Sequence, residues 1–228
     1  MENDVDAVVL ECRGTLAGWS LGVEAVAYEQ ARLNGESPLD RGAALRRRVE
    51  YLSAAGSTTP SLAAGFERLA DERGWRRGMT GDECLRRIIA LARPYADVPP
   101  ALELAIAAGR PLVVISLADR ALVHGALRPF DGAFDAVLTT EDFDAQSADA
   151  LLTAAARWMA TEPGRLLYVS ASRDAIARAG VLGMYRGWVN RRARGPRPVH
   201  LRPSEEWSSL LGLAEFLGVT SRTLPVAG

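Results

Sequence analysis

Lysine is absent. All 27 basic residues of this 228-residue chain are arginine, so any chemistry that requires a lysine from this polypeptide is excluded. Cysteine and histidine are nearly absent. Cys12 and Cys84 are too few to frame a chain of this length and read as reduced thiols of a cytoplasmic protein. His124 and His200 are isolated in sequence, which leaves no His/Cys metal cluster. No apolar run approaches the length of a membrane span. The opening MENDVDAVVL is acidic and enters a strand at once, unlike a signal peptide. A net charge of -1 offers no electrostatic case for nucleic acid or an anionic membrane. Neither a metal nor another cofactor is expected.

A hydrophobic content of 48% is enough to bury a sizeable core, as one domain or as a domain with an insertion. Short apolar runs at 7–11 (AVVLE), 111–116 (PLVVIS), 136–140 (AVLTT), 165–170 (RLLYVS) and 186–190 (RGWVN) read as buried parallel strands. Helical patterns separate them, among them PPALELAIAAG, with proline at its start and glycine at its end. Alternating strand and helix predict a doubly wound, Rossmann-like α/β sheet. Residues 21–92 break the rhythm. Four successive segments there have helical spacing and none reads as a strand. They are expected to form a helical cap of residues 21–92 inserted after the first strand, over a core of residues 1–20 and 93–228. A cap at the carboxyl end of the sheet excludes water from whatever binds there.

The stretch VVLECRGTLAG raises the functional question. A buried strand ends on a carboxylate, Glu11, followed by Arg13 and a Gly14–Thr15 turn. Glu11 admits two readings: a reactive carboxylate, or a residue that caps the turn and pairs with Arg13. Arg13, Arg120 and Arg173 are each placed in loops bordering the same edge. Each is either a cation of the site or a surface arginine. Neutralisation of Glu11 by Arg13 or Arg173 is expected.

The layout of strand, Gly-Thr turn, helical segment and α/β core resembles the haloacid dehalogenase (HAD) superfamily, with the closest likeness to its 2-haloacid dehalogenase-like branch. RRRVEYLSAAG resembles the first cap helices. YADVPPALELAIAAGRPLVVIS, FDGAFDAVLTTEDF and GMYRGWVNRR resemble landmarks of the core. The resemblance puts Glu11 where the family has a nucleophilic Asp, with Gly14 and Thr15 in register. Ser116 matches the second-strand hydroxyl that binds the substrate anion. Gln146 stands at the position of the family lysine and Leu152 at that of an aromatic residue. SASRDA replaces the pattern Ser-Ser-Asn-x-x-Asp, keeping Ser170 but placing Ser172 and Ala175 at its last two named positions. The second Asp of the phosphatases is Arg13, and Asp174 is the nearest remaining carboxylate. The Arg run at 46–48 reads either as a solvated helix face with one side chain snorkelling or as placing one arginine near the cap–core cleft, where the dehalogenase branch has an early cap Arg that binds the leaving halide.

Thr15, Ser116 and Ser170 therefore persist while the charged machinery changes. A Glu in place of Asp moves the attacking oxygen, and a misplacement of about 1 Å can cost ~100-fold in rate. Removing one preorganised electrostatic stabiliser costs on the order of 100- to 1000-fold. Mg²⁺ needs oxygen ligands that Arg13 and Ala175 do not supply. Three functions stay open. One is a pseudoenzyme that binds a small anionic molecule or a protein partner. Another is a metal-independent hydrolase with Glu11 as nucleophile or base. The third is a site rewired for a different reaction using Glu11, Arg13 and Asp174; Arg13, Ser172, Arg173 and Asp174 are the candidate substrate-binding residues. A homodimer is expected from the Ala- and Leu-rich helices and from the dehalogenase branch.

Overall fold

The computed structural model describes residues 5–36, 42–54, 61–143, 147–193, 195 and 203–219. Strand β1 (Ala7–Glu11) leads through the short β2 (Ala17–Gly18) into four helices, α1 (Ser20–Leu33), α2 (Gly42–Ala54), α3 (Leu62–Arg73) and α4 (Gly81–Leu91). The chain returns through β3 (Arg93–Pro94) and α5 (Val98–Ala107). It then alternates β4 (Leu112–Ser116), α6 (Arg120–Leu127), β5 (Ala136–Thr139), α7 (Ala148–Trp158), β6 (Leu166–Ser170), α8 (Arg173–Val181) and β7 (Tyr185–Val189). β8 (Glu205–Trp207) and α9 (Leu211–Phe216) close it.

Six strands form one parallel sheet in the order β5-β4-β1-β6-β7-β8. β1 lies inside it, with Glu11 opposite Ile115 of β4 and Leu10 opposite Val169 of β6. Alternate side chains point to opposite faces, and both faces are buried, which is why these runs are continuously apolar. Val9, Val113 and Tyr168 pack with Leu151 and Leu152 of α7 and Ile176 of α8. Val8, Leu10, Val114 and Val169 pack on the other face with α5, α6 and α9. That second cluster continues without a break through Leu16 and Trp19 into Val23, Leu69 and Ile88 of the four-helix segment. Each such side chain contributes roughly 1.5–3 kcal/mol when fully buried.

Local signals stop and start the helices. Thr80 and Glu83 form a reciprocal capping box on α4. Ser61, Ser147 and Ser172 cap α3, α7 and α8 with their hydroxyls. The buried Gln30 of α1 spans to the loop before α4, donating to Met79 O (2.8 Å) and accepting from Met79 N–H (3.1 Å). Helices α2 and α3 touch at Gly65, where a Cβ would lie 2.4 Å from Ser53 Oγ and 2.7 Å from Val49 O.

Three strands had no sequence signal. β2 and β3 pair antiparallel where the chain leaves and re-enters the α/β layers, each only two residues long. β8 reads Glu-Glu-Trp and is half-exposed at the sheet edge, so it lacks the apolar run that marks the inner strands. The basic loop 191–198 lies only partly within the described residues.

The α2–α3 contact is testable. Gly65→Ala should cost about 1–3 kcal/mol of stability by overpacking, read as a lower midpoint in urea unfolding. An unchanged midpoint would show that the two helices do not approach this closely.

Candidate functional site

β1 delivers Glu11 to the carboxyl edge of the sheet, where open α/β folds place ligands. The turn beyond it is fixed by backbone bonds: Gly14 N–H donates to Ala17 O (2.9 Å), and Leu16 and Ala17 N–H both donate to Cys12 O (3.1 and 3.2 Å). Gly14 has φ +78°, a conformation that a residue with a Cβ rarely adopts. Thr15 is fully buried, and its Oγ1 accepts the Ala171 N–H at 2.9 Å. That bond ties the turn after β1 to the turn after β6.

The turn after β6 supplies the partner of the carboxylate. Ser170 donates its hydroxyl proton to Glu11 Oε2 and accepts the Ser172 N–H at 2.8 Å. Ser172 caps α8 by accepting from Ala175 N–H at 3.3 Å. Burial pushes the Glu11 carboxyl above its ordinary range, while the Ser170 hydrogen bond and the Arg13 charge pull it back only in part. The Tyr168 phenol, two residues before Ser170, is raised well above its usual value by burial and by the Glu11 charge. Burial also raises the Cys12 thiol, and it holds Cys84 at about 11. Neither cysteine has the character of a nucleophile.

Glu11 lies between two cavities. A cleft of about 370 Å³ runs over it between the sheet edge and the start of α1, lined also by Arg13, Trp19, Tyr95, Ser172, Asn190, Arg191 and Arg192. A smaller cavity of about 140 Å³ lies on its other side, walled by Ser116, Leu152, Tyr168, Asp174, Ala175 and Arg178. Ser116 is buried, with Oγ accepting from Ala118 N–H at 3.2 Å.

The structure thus brings Glu11, Thr15, Ser116, Ser170 and Ser172 to one sheet edge. It corrects the expected neutralisation of Glu11. Arg13 reaches away to Glu50 of α2 (2.7 Å), which Arg46 also holds at 3.2 Å. Arg173 lies over the Trp188 ring (4.8 Å to its centroid) and donates to Gly195 O at 2.6 Å. Among the described residues no ion pair reaches Glu11; its one hydrogen bond there is from Ser170. Of the proposed rewired set, Glu11 borders both cavities, Arg13 the cleft and Asp174 the smaller cavity. Arg120 pairs with Asp142 (2.7 Å), and Asp142 accepts from the Thr139 hydroxyl and N–H. Arg46 is held by Glu24 and Glu50, and Arg48 by Glu72. His124 is exposed on α6. Gln146 and His200 lie outside the described residues.

The residue that sequence reasoning missed is Arg191. Its guanidinium pairs with Asp97 (2.9 Å), donates to the carbonyls of Gly14 (3.0 Å) and Thr15 (2.9 Å), and stacks on Tyr95 at 4.3 Å. Asp97 also accepts the Leu210 N–H at 2.6 Å, at the start of α9. In the sequence Arg191 is one arginine in a basic Pro/Gly loop. Its position directly after a buried strand at the carboxyl edge was the available signal.

A divalent cation does not fit the described residues of the site. Among the described residues no three His, Cys, Asp or Glu side chains converge, and Arg13 and Ala175, which line the cavities beside Glu11, supply no carboxylate. Hard cations need several oxygen ligands at once.

No protein-family model matches the sequence, and no curated protein matches it. Solved structures do match the fold. An L-2-haloacid dehalogenase superposes with a TM-score of 0.72 at 20% identity, over 94% of this chain and 99% of that one. A HAD phosphatase from Thermococcus onnurineus gives 0.70 at 23% identity, over 94% and 98%. An L-2-haloacid dehalogenase from Xanthobacter autotrophicus, with chloropropionic acid covalently bound, gives 0.69 at 16% identity, over 94% and 98%. The chain has the HAD-like, Rossmann-type fold.

Two stability tests follow from this geometry. A carboxyl whose folded pKa is raised adds stability only below its unfolded pKa, and loses that advantage as pH rises through the folded value. Glu11→Gln should therefore raise the melting temperature at pH 7, with the gain vanishing near pH 4; equal melting temperatures at both pH values would contradict the raised pKa. Arg191→Ala should cost about 3 kcal/mol by stranding Asp97 and two carbonyls. Arg191→Lys should not recover that loss, because an ammonium cannot reproduce the planar fork. Full recovery by lysine in denaturant titration would refute the clamp.

Proposed function

We propose that this chain is a member of the HAD superfamily whose cleft binds a small anionic molecule without ordinary phosphatase or dehalogenase turnover. The observation that carries the reading is Glu11: a strand-end carboxyl with a raised pKa and, among the described residues, a serine but no cation as partner, in a chain without lysine. A carboxylate displaced by one methylene and lacking a cationic partner is poorly placed to attack an anionic substrate. The retained hydroxyls of Thr15, Ser116 and Ser170 are engaged in structural hydrogen bonds. Arg13 and Arg191 border the cleft but pair with Glu50 and Asp97, which leaves the exposed Arg192 to favour an anion there.

A second reading, a metal-independent hydrolase with Glu11 as nucleophile, is favoured by one observation. The other carboxylate oxygen, Oε1, has no hydrogen bond among the described residues, which leaves it open for attack.

Turnover separates the two. A displaced nucleophile and a missing cation, at ~100-fold each, would lower a typical turnover of about 10 per second to ~0.001 per second or less. Wild type should therefore be nearly inert on p-nitrophenyl phosphate and on 2-chloropropionate. Ordinary rates that disappear in Glu11→Gln would establish the hydrolase instead. Activity gained by Glu11→Asp together with Gln146→Lys would locate the loss in these two side chains.

A further inference from the structure

We infer that the site takes up a small oxyanion together with one proton, which resides on Glu11 in the bound state. The inference rests on the anion-binding reading above and adds its regulation. Glu11 is the carboxylate that the cleft and the smaller cavity share, so an anion seated in the cleft lies against it. Its Oε2 already accepts the Ser170 hydroxyl, and Oε1 has no hydrogen-bond partner among the described residues. Oε1 is thus the atom free to carry a proton and to donate it in a hydrogen bond to an incoming oxyanion. Left ionised, Glu11 would set two negative charges side by side in a partly desolvated floor, where Coulomb repulsion is far stronger than in water.

The surrounding cations do not remove that conflict. Arg191 is committed to Asp97 and to two carbonyls. Arg13 is committed to Glu50. Arg192 is exposed at the cleft and can hold the far side of the anion. The other titratable groups around Glu11 do not supply the proton. Tyr168 faces it from β6 and Cys12 follows it just after β1, and burial keeps both neutral through the physiological range. Asp174 and Arg178 of α8 border the smaller cavity on its other side. The balance is simple: the ionised site, one proton and the anion give a neutral carboxylic acid hydrogen-bonded to the bound anion, and no covalent bond forms.

Calorimetry with propionate and with sulfate, in pairs of buffers differing in ionisation enthalpy between pH 6 and 9, tests this. Neither ion changes its charge in that range, so any proton taken up belongs to the protein. Uptake should rise towards one proton per ion bound, and affinity should fall about tenfold per pH unit above the folded pKa of Glu11. Tyr168→Phe should keep the uptake, and Glu11→Gln should bind without uptake and without pH dependence. Binding by wild type with no uptake overturns the inference, whether or not the Gln variant folds, and so does uptake that persists in Glu11→Gln. No binding of either ion at millimolar concentration overturns it as well. Turnover of a phosphate or haloacid substrate would instead remove the non-catalytic reading and leave the proton count standing.

Discussion

One guanidinium holds the carboxyl edge of the sheet together. Arg191 leaves the end of β7 and reaches under the turn after β1, where it satisfies the carbonyls of Gly14 and Thr15. The same group neutralises Asp97 at the start of α5, and Asp97 receives the Leu210 N–H that begins α9. Four separate pieces of chain meet at this point. Each brings a backbone or carboxylate group that would be costly to bury alone. Because the fork is planar and fully charged, it answers them together and fixes the turn that carries Glu11 towards the cleft.

The hydroxyls extend that rigidity across the sheet. Thr15 binds the backbone after β6, and Ser170 binds Glu11 and the backbone of Ser172. In this frame a carboxylate is presented to a cleft with a serine in place of a positive partner. Keeping Glu11 there is unfavourable for stability at neutral pH, since its pKa is raised. An apolar residue at this position would avoid that cost. The ion pairs beyond it run outward, from Arg13 to Glu50 and on to Arg46 and Glu24 of the four-helix segment. The charge expected beside Glu11 is spent on joining the two layers.

The inner strands and the helices were legible because each carries a periodic apolar pattern. AVVLE, PLVVIS and RLLYVS are buried on both faces and cannot be much else in a chain of this composition. The strands β2, β3 and β8 were illegible, since two or three half-exposed residues have no period to read. The strand-end position of Glu11 was legible from the apolar run before it, whereas Thr15, Ser116 and Ser170 were singled out through the resemblance to the haloacid dehalogenase superfamily. The partnership of Glu11 with an arginine was the wrong expectation, because sequence proximity says nothing about which way a long side chain turns. Arg13 is two residues from Glu11 and yet pairs with Glu50, 37 residues away.

The sequence by itself determined the α/β class, the four-helix excursion after the first strand, the lack of any lysine and the placing of a carboxylate at the sheet edge. These follow from composition and from periods of two and 3.6 residues, which are local properties. Only the tertiary structure decided the partner of that carboxylate, the division of the space around it into two cavities, and the clamp at Arg191. Those depend on side chains whose donors and acceptors lie as many as 177 residues apart, from Arg191 to Gly14. Contacts of that range are settled by how the layers pack, when each buried polar group must find a partner.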